Sequence, residues 1–87
     1  MEALHRPRYR RFLERLRKAR LEAGLTQPQA AAALKQPQQY VSKCELAERR
    51  VDAVELWDFA RLYGKPLEYF FRGLDDGEDR ASKSGRR

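Results

Sequence analysis

The amino-acid sequence predicts an all-α protein, folded as a compact domain of five helices. Apolar residues recur three and four positions apart in several separate stretches, which is the spacing of amphipathic helices. Glycine and proline separate these stretches, as expected where helices end and begin. The chain has 87 residues, a length that suits one small domain with a thin hydrophobic core.

The first helix is predicted over residues 8–23. Phe12, Leu16 and Ala19 recur at helical spacing on one side, and basic residues cover the other side. Gly24 follows, where a helix commonly ends on a left-handed residue. Residues 1–7 are predicted to form a flexible basic arm in front of this helix.

Two short helices joined by a tight turn are predicted next. Thr26 suits the cap of the second helix, and Gln29 three residues later completes a capping box. This helix ends near Leu34, and the turn follows at residues 35–36. The third helix is predicted over residues 37–45, because proline is well tolerated in a first helical turn.

The C-terminal half is predicted to hold two further helices. Asp52, with Glu55 three residues later, suits the cap of the fourth helix, and Gly64 suits its end. A short fifth helix is predicted over residues 67–71, and the aromatic residues Trp57, Phe59 and Phe71 are expected to lie mostly in the core. The folded domain is therefore expected to span residues 8–73, with residues 74–87 as a disordered tail because they are polar and charged.

The charge is unevenly distributed along the chain. The formal net charge is +6, and residues 1–51 carry 12 Lys/Arg against 5 Asp/Glu. The basic half is thus the half that holds the two short helices. This asymmetry indicates a polyanionic partner such as nucleic acid, although a solvated basic surface would produce the same composition.

Several kinds of site are excluded by the residues that the sequence lacks. Cys44 is the single cysteine and His5 is the single histidine, so neither a disulfide nor a Cys/His metal site is expected. No catalytic constellation and no cofactor are predicted, and the protein is expected not to be an enzyme. Cys44 is interpreted as a core residue rather than a redox sensor. Without an apolar run or signal peptide, a cytoplasmic protein with no membrane association is expected, nucleoid-associated when bound to DNA.

The two short helices match the helix-turn-helix unit, whose second helix enters the DNA major groove. Glutamine amides can pair with adenine edges, and lysine can donate to guanine or phosphate. The residues predicted to contact bases are Gln38, Gln39, Ser42 and Lys43. Those predicted to contact phosphates are Arg6, Arg8, Thr26, Gln27, Tyr40, Arg49 and Arg50.

Three motifs carry a family resemblance: Leu16-x-x-x-Arg20, Ala23–Gln27, and Tyr40-Val41-Ser42-Lys43-x-Glu45. Together with the closing Ala60–Phe71 they resemble the Cro/lambda-repressor-type helix-turn-helix family, also called the Xre family. The resemblance covers about residues 9–73. It implies a homodimeric transcriptional regulator on a two-fold symmetric operator, more often a repressor than an activator. An antitoxin or adaptor that acts mainly on a protein partner is the alternative.

The resemblance also implies particular roles and shows departures. Arg20 is expected to pair with Glu45 and tie the first helix to the third. Lys35 and Ala47 stand where the family usually has glycine, so the resemblance does not determine the geometry of the turn. A separate expectation concerns the aromatic fifth helix, which is too short to bury all its apolar side chains in a monomer. The apolar side chains that a monomer leaves exposed are predicted to form a dimer contact through Leu67, Tyr69 and Phe70.

Overall fold

A computed structural model of the chain describes residues 6–76, and this part of the chain is helical without strands. It contains α1 (Pro7–Glu22), α2 (Gln27–Ala33), α3 (Tyr40–Glu45) and α4 (Ala53–Tyr63). Two 3₁₀ helices follow, Leu67–Phe71 and Leu74–Asp76. The all-α prediction is confirmed, with the difference that the predicted fifth helix is a 3₁₀ helix.

The caps that the sequence suggested are formed. The Thr26 hydroxyl accepts a hydrogen bond from the Gln29 N–H at 3.2 Å, and the Gln29 side chain accepts one from the Thr26 N–H at 2.9 Å. Asp52 and Glu55 make the same reciprocal pair at the start of α4. Each box satisfies two backbone donors that the first helical turn leaves without a partner.

All four α-helices end in the same hydrogen-bonded motif, in which a left-handed residue follows the last turn. In α1 the left-handed residue is Gly24, with φ +78°, and in α4 it is Gly64, with φ +70°. In α2 it is Lys35, with φ +59°, and in α3 it is Ala47, with φ +64°. The turn of the helix-turn-helix therefore keeps a glycine-like geometry without glycine.

The core forms around α1, which packs against α3, α4 and both 3₁₀ helices, while α2 packs against α3. Leu16 and Ala19 of α1 are completely buried, as are Ala30 and Ala31 of α2. The small side chains of these two alanines let α2 pack close to α3 and the core. The remaining buried apolar side chains are Phe12, Leu13, Val41, Cys44, Ala47, Phe59, Ala60, Tyr63, Tyr69 and Phe70.

Two aromatic residues predicted to lie in the core are instead exposed. Trp57 in α4 keeps 51% of its surface exposed and Phe71 keeps 45%. Only one face of α4 meets the core, and Phe59, Ala60 and Tyr63 occupy it. Trp57 points away from these residues because of the helical repeat of about 3.6 residues.

The 3₁₀ helix Leu67–Phe71 corrects the predicted dimer contact. Tyr69 and Phe70 are buried within the monomer, so neither offers a surface to a second chain. The guanidinium of Arg15 lies 4.0 Å from the centre of the Tyr69 ring. The Tyr69 hydroxyl donates a hydrogen bond to Glu22 at 3.1 Å. Side chains of α1 thus cover Tyr69, and Leu67 is the one predicted dimer residue of the three that remains exposed, at 38%.

The folded region extends beyond the predicted boundary at residue 73. Leu74–Asp76 form the last 3₁₀ helix, and Leu74 packs against the core. Arg8 donates to the Leu74 carbonyl at 3.2 Å, and Arg11 donates to the Gly73 carbonyl at 2.8 Å. These bonds hold the segment, which composition had assigned to a disordered tail. Most of the predicted arm and tail lies outside the described residues, although Pro7 already belongs to α1.

Candidate nucleic-acid interface

A buried ion pair fixes α3 against α1. Nε of Arg20 donates to Glu45 at 2.7 Å, and Nη2 donates to the second oxygen of the same carboxylate at 3.0 Å. Nη1 of Arg20 also donates to the Leu25 carbonyl at 2.9 Å. The side chains of Arg20 and Glu45 are only 7% and 4% exposed. The hydrogen bonds to Glu45 raise the pKa of Arg20, despite its burial.

Gln27 joins this buried pair instead of projecting freely from the start of α2. Its side-chain amide donates to Glu45 at 2.9 Å. The carboxylate thus receives donors from α1 and from α2, so one residue of α3 fixes both neighbouring helices. The amide nitrogen of Gln27 carries a second N–H that this contact leaves for another acceptor.

The helical part of α3 is shorter than predicted. Pro37 and Gln38 lie in a turn, closed by a hydrogen bond from the Tyr40 N–H to the Pro37 carbonyl at 2.9 Å. Gln39 is the residue before the helix and makes no side-chain cap. The first α-helical bond runs from the Lys43 N–H to the Gln39 carbonyl at 2.9 Å. The predicted start at Pro37 is wrong because the turn from Pro37 to Tyr40 precedes the first α-helical hydrogen bond.

Three of the four predicted base-contacting residues are exposed, in α3 and directly before it. Gln38, Gln39 and Lys43 are exposed, and we call them the reading edge. Within residues 6–76, none of these three side chains makes a hydrogen bond or ion pair. The fourth predicted residue, Ser42, is half-buried. The reading edge therefore carries amide and ammonium groups whose hydrogen-bonding capacity is unused in the described structure.

Tyr40 lies behind the reading edge with its ring packed inward. The ring stacks on Phe59 of α4, with centroids 5.9 Å apart. The guanidinium of Arg49 lies 4.9 Å from the centre of the Tyr40 ring. Burial raises the pKa of Tyr40 to about 12, so its hydroxyl stays protonated at neutral pH. Burial likewise raises the pKa of the Cys44 thiol, in agreement with a packing role.

The two arginines after α3 lie in different environments. Nη2 of Arg49 makes an ion pair with Glu55 of α4 at 3.1 Å, and this contact raises the pKa of Arg49. Arg50 is exposed, with its guanidinium 6.0 Å from the Tyr9 ring. The same phosphate-contacting role was predicted for both residues, and their surroundings do not support it equally.

The basic residues at the start of α1 also separate. Arg6 is exposed and precedes the helix, whereas half-buried Arg8 bonds to the carbonyl of Leu74. Sequence reasoning missed the attachment of Arg8 because it assigned residue 74 to the tail. It identified Glu55 as a capping residue, but no sequence signal showed that its second oxygen pairs with Arg49.

A shallow hollow of about 300 Å³ opens beside the reading edge. The side chains around it include two amides, an ammonium group, a guanidinium group and a carboxylate. Its lining residues are Gln36, Pro37, Gln39, Tyr40, Lys43, Arg49 and Glu55. Among residues 6–76 there is no group of three acidic, His or Cys side chains that could hold a metal ion. A membrane-spanning helix needs a long apolar stretch, and no helix in the described part of the chain offers one.

Comparisons with known proteins agree with this geometry. The family model described as helix-turn-helix matches residues 16–70. A solved structure of an XRE-family like protein from Pseudomonas syringae pv. tomato str. DC3000 is 41% identical in sequence, with a TM-score of 0.72. The match covers 86% of this chain and 94% of that chain. A search of curated protein sequences finds no match.

The family match and the similar structure support a DNA-binding regulator. Taken with the four helices and the anchored helix-turn-helix, they lead to one conclusion: this chain belongs to the XRE-type helix-turn-helix family.

Proposed function

We propose that this protein binds double-stranded DNA in a sequence-specific manner and regulates transcription, acting as a repressor. The observation that carries the proposal is the reading edge: three exposed polar side chains on an element that a buried ion pair holds in place. Base recognition requires donors and acceptors held in a fixed position, and an anchored edge meets that requirement.

The proposed contacts divide into two groups. Gln38, Gln39 and Lys43 read base edges, with half-buried Ser42 at their margin. The backbone of the DNA is contacted around the start of α2 and by exposed basic residues. The residues proposed for this second group are Arg6, Thr26, Gln27, Tyr40 and Arg50.

Selection of bound sequences from random double-stranded DNA tests this proposal. We expect enrichment of a two-fold symmetric sequence and a steep loss of affinity as salt rises, because each neutralised phosphate releases counterions. Recovery of sequences no different from the starting pool would contradict sequence-specific binding. Equal affinity at low and high salt would contradict the phosphate contacts.

We further propose that the protein binds DNA as a homodimer, with α4 as the contact surface. Trp57 and Val54 are 51% and 70% exposed on the side of α4 away from the core. Asp58 and Arg61 lie on the same face with opposite charges. A two-fold axis can place unlike charges of two copies opposite one another, which supports a second copy as the partner.

Analytical ultracentrifugation of two variants tests the dimer surface. We expect Trp57→Glu to shift the protein towards monomer, and Leu67→Glu to leave its association unchanged. The reverse result would return the contact to the 3₁₀ helix. A wild-type protein that is monomeric at high micromolar concentration would exclude the dimer. It would make the α4 face a candidate surface for the adaptor or antitoxin alternative.

A further inference from the structure

Arg49 makes contacts that differ from those expected of a phosphate-binding arginine. Nη1 approaches Sγ of Cys44 at 3.8 Å, and the guanidinium lies 4.9 Å from the Tyr40 ring. Tyr40 and Cys44 are one helical turn apart on α3. Nη2 meets the Glu55 carboxylate of α4 at 3.1 Å. One side chain therefore touches two successive turns of α3 and the first turn of α4.

Glu55 is itself fixed, which makes the connection to α4 rigid. Its Oε1 accepts a hydrogen bond from the Asp52 N–H at 3.0 Å, and its backbone N–H donates to the Asp52 carboxylate at 2.8 Å. Its Oε2 holds Arg49. The two carboxylate oxygens thus have separate tasks, one at the helix cap and one at the arginine. The side chains of Arg49 and Glu55 are 39% and 22% exposed, so this ion pair is partly screened by solvent.

In the described part of the chain, no other side chain makes a hydrogen bond or ion pair with the N-terminal end of α3. The Arg20–Glu45 pair holds the C-terminal end of α3, at the last residue of the helix. The N-terminal end begins at Tyr40 without a side-chain cap, directly after Gln39. Tyr40 is held there by Phe59 beneath it and by the Arg49 guanidinium. Arg49 therefore contacts the residue that directly follows Gln39 of the reading edge.

We propose that Arg49 and Glu55 form a brace that positions the reading edge, and that Arg49 is a positioning residue for DNA specificity rather than a phosphate contact. The carboxylate of Glu55 holds the guanidinium against α3, so the arginine is engaged within the protein. This inference rests on the proposed DNA-binding function. Arg50, the next residue, is exposed and serves as the matched phosphate-contacting control.

The test uses Arg49→Ala, Glu55→Gln, the double variant, and Arg50→Ala, each first checked for folding by circular dichroism. Glutamine at position 55 keeps an oxygen for the Asp52 N–H and removes the charge that holds Arg49. Binding is measured to the selected duplex and to a mixed-sequence duplex of equal length, across a range of salt concentrations.

We expect Arg49→Ala and Glu55→Gln each to lower the ratio of specific to non-specific affinity about tenfold, since the pose of a base contact is disturbed. The double variant should lose no more than either single variant, because both changes break the same brace. The salt slope should stay at the wild-type value in these three proteins. In Arg50→Ala the slope should fall by about 0.9, with the ratio unchanged.

One result would overturn the brace: a salt slope lowered by about 0.9 in Arg49→Ala, with unchanged or stronger binding in Glu55→Gln. That pattern would mean that Arg49 neutralises a phosphate and that Glu55 competes for it.

A DNA-free measurement separates failure of the brace from failure of the proposed function. Amide hydrogen exchange of residues 40–45 in the free protein should be faster in Arg49→Ala and Glu55→Gln than in wild type, and unchanged in Arg50→Ala. If no duplex binds, the proposed function fails and this exchange pattern alone decides the brace. Equal exchange in wild type and both brace variants would exclude it.

Discussion

The framework helices, α1 and α4, differ from the reading helices, α2 and α3, in how they obtain stability. The framework helices have 16 and 11 residues and end on glycine, whereas the reading helices have 7 and 6 residues and end on Lys35 and Ala47. Helices of six or seven residues are unstable in isolation. The reading helices are therefore held by contacts with the framework, and local sequence contributes less to their stability.

This difference shows where the protein carries backbone strain. A left-handed conformation costs an L-residue roughly 1–2 kcal/mol, and a glycine avoids most of that cost. The two strained residues are the ones that end α2 and α3. Burial of Ala47 and the ion pair of Arg20 with Glu45 offset the strain near α3.

Arg20→Ala removes the main polar tie between the framework and the reading helices. It leaves the Glu45 carboxylate buried without its cation, and we expect a loss of about 3–5 kcal/mol in the free energy of unfolding. Chemical denaturation measures this loss, with the exposed Arg17→Ala on the same helix as the control. An unchanged unfolding midpoint in Arg20→Ala would show that the pair contributes nothing to the tie.

Gln39→Ala tests the exposed side of the reading helices, where side chains contribute little to the folding stability of the protein. We expect the free energy of unfolding to stay the same within about 0.5 kcal/mol, as for most surface substitutions. Binding should weaken by ~1–3 kcal/mol at one operator position, because a bidentate base contact is lost. Competition between duplexes that differ at single base pairs measures this. Equal weakening for every sequence would rule out base recognition by Gln39.

Gly24→Ala introduces into the framework the strain that the reading helices already carry. An added Cβ meets no atom within 4 Å, so steric crowding is absent and the φ of +78° decides the effect. We expect a loss of about 1 kcal/mol in the free energy of unfolding, from the left-handed strain less the entropy that glycine loses on folding. Thermal and denaturant unfolding both report it. A stability equal to wild type would mean that α1 can end in another conformation.

Lys35→Gly makes the opposite change in the turn before the reading edge. We expect a gain of about 1 kcal/mol, from relief of the left-handed strain less the entropy that glycine loses on folding. Base preferences in the DNA selection should remain those of wild type, because the backbone geometry already matches that of a glycine turn. Altered preferences would show that Lys35 itself influences the reading edge.

The smallest effect is expected at an exposed ion pair of the framework. Lys65 donates to Glu22 at 2.6 Å, and this bond lowers the pKa of the Glu22 carboxyl from its usual 4.5. The folded state therefore binds the proton less readily than the unfolded state. Stability from this carboxylate is present above pH 4.5 and is lost as pH falls through the lower folded pKa.

Comparison of wild type with Glu22→Gln across pH measures this contribution. The difference in unfolding free energy should be greatest near neutral pH, shrink below pH 4.5 and weaken at high salt. A difference that grows towards acid pH would reverse the assigned direction of the shift.

Several features could be predicted because they depend on neighbouring residues. The Thr26 and Asp52 caps and the Gly24 and Gly64 ends are local in sequence, and the structure contains all four. Arg20 and Glu45 are 25 positions apart, and their pairing was predicted from the family resemblance. Local spacing could not supply it, because the pairing depends on how α1 and α3 pack.

Other features failed because they depend on which surface of an element meets the core. Arg15 of α1 covers Tyr69, and Phe70 is completely buried in the core, which no count of apolar residues in a five-residue helix can show. Trp57 was assigned to the core by its apolar character, yet it falls on the outer side of α4. α3 begins at Tyr40 and not at the predicted Pro37, because the Tyr40 N–H donates to the Pro37 carbonyl and closes a turn in front of the helix.

The sequence by itself determined the helical class, the capping residues and the polar character of the reading edge, because these follow from helical periodicity and short-range hydrogen bonds. Only the tertiary structure decided the partners of three long side chains. Gln27 donates to Glu45 of the buried pair, Arg8 donates to the Leu74 carbonyl, and Arg49 makes an ion pair with Glu55. Each of these side chains is long and can reach several partners. Packing of distant elements determines which of those partners comes within hydrogen-bonding distance.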